Sequence, residues 1–246
     1  MRLIFFLSFF CSTLLITAAH SYDKKHQKRL QKFHQKVKSE STLKENQLEQ
    51  LYIIFERLRS TTHQILNKNH ISMNFYNINN PDYFMESNFY FFQRLVLQKK
   101  SYRIGVNPII FKKKIPKMAL IGVMAHELVH TEDFETRSLI EIAKMYFNSS
   151  QRTYYERQTD IKVIFKGLDQ ELIAYKQWQY PLLAEEALKK KKKQYLSLEE
   201  VKFIANKIKN TDKKTQEKLL KFWIKNTPLN IEELESSYQK FNSMLK

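Results

Sequence analysis

Apolar positions at Leu48, Leu51, Ile54, Phe55 and Leu58 recur three or four residues apart, which predicts a helix over about 43–66. Ser41 or Thr42 can cap it, with Glu45 at capping-box spacing from Thr42. The period then changes. Ile71–Ile78 alternates, Phe89–Leu97 is rich in aromatic and β-branched residues, and Tyr102–Val106 alternates again after the polar break Gln98–Ser101. These runs predict a hairpin in a small antiparallel sheet. Pro116 suits the start of a helix, and Lys117–His130 is apolar with only Gly122 to weaken it. Helical patterns follow over about 135–147, 151–166, 169–179, 182–194, 198–209, 213–225 and 231–244. Gly167 suits the left-handed residue after the second of these seven, and Ser197 with Glu200 forms a further capping box. The pattern predicts one α+β domain over 22–246, with a sheet-containing lobe over about 43–131 and a helical lobe over about 132–246.

The first residues carry a different message. Met1-Arg2 precedes an apolar run from Leu3 to Ala19 that ends in small residues, the pattern of a secretory signal peptide over 1–21. The chain is therefore expected to be exported, to a periplasm or to the exterior. Its single cysteine, Cys11, lies in that segment, so no disulfide framework and no cysteine metal site are expected.

Composition narrows the function classes. Only 3 of the 246 residues are glycine, which argues against glycine-rich phosphate loops. The net charge of +17 falls by one on cleavage, because Arg2 is the only charge removed. Such a charge attracts anionic surfaces or polymers, but no nucleic-acid-binding motif accompanies it. The run Lys189–Lys193 reads as a solvated helix face.

Chemistry concentrates at His126-Glu127-Leu128-Val129-His130, an HExxH motif. Residues four apart share a helix face, so both imidazoles can reach one metal ion. Glu127 lies at the edge of that face, where its carboxylate can take a proton from a metal-bound water. A catalytic zinc usually has three protein ligands. No histidine follows His130, so a downstream carboxylate is the expected third ligand. Glu132, Asp133 and Glu135 are too close to fold back, and Glu141 faces an unknown direction. Glu156 is the better candidate, and Asp160, one turn on, can orient an imidazole of His126 or His130.

His126-Glu127-x-x-His130 followed by Glu156-x-x-x-Asp160 resembles the gluzincin branch of zinc metallopeptidases. The segment from Tyr154 to Asp160 is also similar to the Glu-Arg-x-x-Asp stretch of bacterial exported HExxH proteins. The resemblance covers roughly residues 100–180 and implies a zincin-like fold with an active-site helix. It implies zinc on His126, His130 and Glu156, Glu127 as general base, and Asp160 supporting a histidine. It also implies that Tyr102–Val106 is an edge strand receiving a peptide or protein substrate, and that a tyrosine such as Tyr154, Tyr155 or Tyr175 stabilises the oxyanion. The expected activity is zinc-dependent peptide hydrolysis. Two rival readings are a non-enzymatic basic protein that binds an anionic surface and a zinc hydrolase of a non-peptide bond.

Overall fold

A computed structural model describes residues 42–67, 71–79, 83–89, 101–147 and 149–245. The segment 1–21 expected to be a signal peptide, the basic stretch after it, and most of the run Phe89–Leu97 lie outside these residues. Helix α1 (Glu45–Thr61) buries Leu51, Ile54, Phe55 and Leu58, the face its spacing predicts. Its cap differs from the expectation. Gln47 Oε1 accepts the Lys44 N–H at 3.0 Å, so the first turn is closed from inside the helix rather than by Thr42.

The sheet is mixed, not antiparallel. It holds β1 (Ser72–Asn77), β2 (Met85–Phe89) and β3 (Ser101–Val106) in the order β1-β3-β2. Strand β3 runs parallel to β1, with Ser72 opposite Ser101, and antiparallel to β2, with Met85 opposite Val106. Thus Tyr102–Val106 is the central strand among those described, which corrects its expected place at an edge. The physical reason is burial. Tyr102, Ile104, Gly105 and Val106 are all buried, as suits a strand paired on both sides. At Gly105 a Cβ would come within 2.5 Å of the Ile78 side chain, so the close approach requires glycine.

A short turn of helix, α2 (Ile109–Lys112), leads into α3 (Lys117–Thr136). Helix α3 is buried on nearly every side from Ala119 to Glu135, so it lies at the centre of the molecule. Helices α4 (Leu139–Phe147), α5 (Ser149–Phe165), α6 (Asp169–Gln179), α7 (Glu185–Gln194), α8 (Leu198–Lys209), α9 (Lys213–Lys225) and α10 (Ile231–Ser243) follow. Gly167 has φ of 76°, the left-handed residue expected after α5. Ser197 and Glu200 form the expected capping box of α8. One apolar cluster runs from Leu51 of α1 through α3 to Phe241 of α10. Burial of each such large side chain contributes roughly 1.5–3 kcal/mol. Helix α6 lies so close to α3 that a Cβ at Gly122 would stand 2.1 Å from the Glu171 carbonyl oxygen. Among the described residues, no helix is long and apolar enough to cross a membrane.

Candidate metal centre

Helix α3 brings His126 and His130 to one face, and α5 packs beside it with Glu156 and Asp160. His126 Nε2 and His130 Nε2 are 3.1 Å apart, and each lies 3.2 Å from Glu156 Oε2. All three residues are buried and could hold a metal ion.

The hydrogen-bond partners fix how these donors face. His126 Nδ1 lies 2.8 Å from Asp160 Oδ1. Asp160 Oδ2 accepts from Lys176 Nζ at 2.9 Å and from the Leu196 N–H at 3.1 Å. So loaded, the carboxylate stays ionised and takes the Nδ1–H of His126. The Thr159 hydroxyl donates to the Tyr155 carbonyl at 2.9 Å, which leaves its oxygen to accept from His130 Nδ1 at 3.4 Å. Both Nδ1 atoms therefore carry protons, and both Nε2 atoms are turned toward the Glu156 oxygen. Three electron-rich atoms converging at such distances repel one another unless a cation or proton lies among them. Ligands at the zinc distances of about 2.0–2.2 Å stand about 3.3 Å apart in a tetrahedron, so the donor set fits such an ion.

The electrostatics agree. Burial opposes charge on His126, but Asp160 and Glu156 outweigh it and raise its pKa to about 10 in the metal-free protein. Burial likewise opposes charge on Glu156, but His130 and His126 hold its pKa well below the usual range. Asp160 behaves similarly, with Lys176 as the main counterweight to burial.

Glu127 is also buried. Burial raises its pKa, the two imidazoles oppose the rise, and the backbone of Ser87 in β2 hydrogen-bonds its carboxylate. Strand β2 is further tied to α3 by the Ser87 and Thr131 hydroxyls at 2.8 Å. Of the other acids downstream, none joins the cluster. Glu132 accepts from Lys166 Nζ, Asp133 from Lys162 Nζ and Glu135 from Tyr102. Glu141 accepts from Ser138 N and Oγ at 2.9 and 2.8 Å, at the start of α4.

The three tyrosines separate. Tyr154 is exposed. Tyr155 is buried, with its ring 4.8 Å from that of His130. Tyr175 is half-buried, and burial with the nearby Glu127 and Asp160 charges raises its pKa. Upstream, His63 is buried at 3.2 Å from the Ala125 carbonyl and takes no part in the cluster.

Several residues at the site were not anticipated. Lys176 and Thr159 act on the histidine supports described above. Arg157, fully buried, donates to the Pro228 carbonyl at 2.6 Å, to the Tyr195 carbonyl at 2.9 Å and to Glu200. It anchors the loop whose Leu196 N–H reaches Asp160. Tyr195 lies with its ring 5.7 Å from His126. Lys191, expected on a solvated face, is half-buried, whereas Lys189, Lys190, Lys192 and Lys193 are exposed. Helical phase gives the reason, because Lys191 follows Leu188 by three residues and precedes Tyr195 by four. That spacing was the one available signal.

Comparison with family models, with curated proteins and with solved structures returned no match.

Proposed function

We propose that the chain is an exported zinc-dependent metallopeptidase of the gluzincin kind, with a zincin-like arrangement of helix and sheet. The observation that supports this most is the convergence of His126 Nε2, His130 Nε2 and Glu156 Oε2 within 3.2 Å of one another. Two imidazoles and one carboxylate in a buried position suit zinc, and they leave a coordination position for water or substrate. Zinc bound there supplies a Lewis acid that polarises a peptide carbonyl and acidifies water.

The chain's own residues supply the rest. Glu127 takes the proton of the attacking water on its carboxylate and delivers it to the leaving amine nitrogen. The Ser87 backbone holds that carboxylate in place, and burial raises its proton affinity toward what a general base needs. Asp160 and Lys176 hold the His126 ring, and Thr159 holds the His130 ring. The strand that hydrogen-bonds Glu127 is β2, at an edge of the three described strands. It suits an extended peptide better than β3, which is paired on both sides.

Glu127→Gln tests the mechanism. The variant is expected to retain the metal of the parent and to lose peptide hydrolysis by a thousandfold or more, in the range for loss of a general base together with its electrostatic role. Retained turnover would contradict Glu127 as the base. A second reading, association with an anionic surface, is favoured by the exposed Lys189, Lys190, Lys192 and Lys193. It needs no metal, so metal content separates the two.

A further inference from the structure

Lys191 stands apart from the other lysines of α7. Its ammonium lies 4.6 Å from the Tyr195 ring centre and 4.8 Å from that of Tyr83. The Tyr195 ring in turn lies 5.7 Å from the His126 ring, so one tyrosine separates the ammonium from the metal cluster. Among the described residues, Lys191 has these ring contacts and no carboxylate partner. Partial burial of an ammonium without an anion is costly, and cation–π contacts of about 0.5–2 kcal/mol offset it only in part. Burial lowers its pKa, while the facing carboxylates of Glu156 and Glu127 oppose the shift.

The rim around it is also basic. Arg152 of α5 donates to the Tyr83 hydroxyl at 3.0 Å and lies 4.0 Å from Glu156 Oε1. Arg152, Lys176 and Lys191 thus stand near the carboxylates of Glu156, Asp160 and Glu127. A divalent cation on the two histidines and Glu156 would add positive charge near Lys191. Lys191, Arg152, Tyr83 and Tyr195 are all half-buried, and Tyr195 and Arg152 stand beside His126 and Glu156 of the cluster.

We infer that Lys191, framed by Tyr83 and Tyr195, binds a carboxylate of the substrate next to the scissile bond, so that the preferred substrates are peptides with an anionic group at that point. This rests on the metallopeptidase reading and adds the substrate class to it. A charge-assisted hydrogen bond to the ammonium would complete the group that the fold leaves without an anion. The carboxylate can be the peptide's C-terminus or an acidic side chain.

The test uses the zinc-loaded Glu127→Gln chain, which leaves peptides intact, and calorimetric titration with three N-acetylated alanine pentapeptides. One ends in a free carboxylate, one in an amide, and one in an amide with glutamate at the second-to-last position. At least one carboxylate peptide is expected to bind about tenfold or more tightly than the neutral amide. A preference for the first assigns the C-terminus, and a preference for the third assigns a side chain. Adding Lys191→Met is expected to remove the preference while zinc content and amide affinity persist, and adding Lys191→Arg is expected to retain it. Equal affinities in the zinc-bound parent, no binding of any peptide, or an unchanged preference in Lys191→Met would overturn the inference and leave the metal site standing. Failure to bind zinc would overturn the metallopeptidase reading itself, and this inference with it.

Discussion

At His63 the imidazole is fully buried between the Thr62 hydroxyl, 2.9 Å from Nδ1, and the Ala125 carbonyl, 3.2 Å from Nε2. A carbonyl only accepts, so Nε2 carries the proton and the ring is neutral. Burial and the Lys166 ammonium lower its pKa to about 3, against two backbone contacts that raise it. In the unfolded chain it titrates at the ordinary value of 6.5. Between these values the unfolded state binds the extra proton, so its contribution is complete above 6.5 and is lost as pH falls toward 3. The loss is about 1.4 kcal/mol per pH unit in that window. Urea unfolding of the parent and His63→Gln at pH 7 and pH 5 reads it. The parent is expected to lose about 2 kcal/mol more than the variant between the two pH values. Equal losses would show that His63 is not the acid-sensitive group.

At the scale of elements, α3 and α6 meet at Gly122. Helix propensity alone predicts that Gly122→Ala stabilises α3 by about 1 kcal/mol. The Cβ would stand 2.1 Å from the Glu171 carbonyl oxygen and 2.9 Å from the Leu172 nitrogen, and backbone cannot swing aside as a side chain can. Overpacking of this kind costs about 1–3 kcal/mol or more, so the clash wins. Thermal unfolding of Gly122→Ala is expected to show a lowered Tm, and a raised Tm would mean that the two helices are not in such contact. The helices were largely legible in the sequence because their signals are local. The i, i+4 spacing of His126 and His130, and that of Glu156 and Asp160, was legible for the same reason. The strand order was not. Pairing of β1 with β3 joins residues 29 apart, and Met85-Glu86-Ser87-Asn88-Phe89 lacks the alternation that marks a strand. Nor could spacing bring Lys176, Lys191 and Tyr195 to the cluster, since each depends on the angles at which α6 and α7 pack on α3 and α5.

Across the whole molecule, the central buried helix and the long apolar cluster around it serve one position. Burial of Glu127, Glu156 and Asp160 together would be prohibitive without positive charge among them. Lys176 answers Asp160, Arg157 answers Glu200, and the two imidazoles turn their Nε2 atoms to Glu156, where they hold its carboxylate ionised. The overall charge of +17 sets this local cluster in a basic molecule, which favours anionic partners at any distance the salt allows. The proposed role of that position, in which His126, His130 and Glu156 hold one zinc ion, underlies everything else. It is tested most directly by zinc content, measured by mass spectrometry on the reconstituted, dialysed parent and on Glu156→Ala, with circular dichroism as the check on folding. About one equivalent is expected in the parent and a large loss in a folded variant. No zinc in the folded parent, or equal zinc in the two proteins, would contradict it.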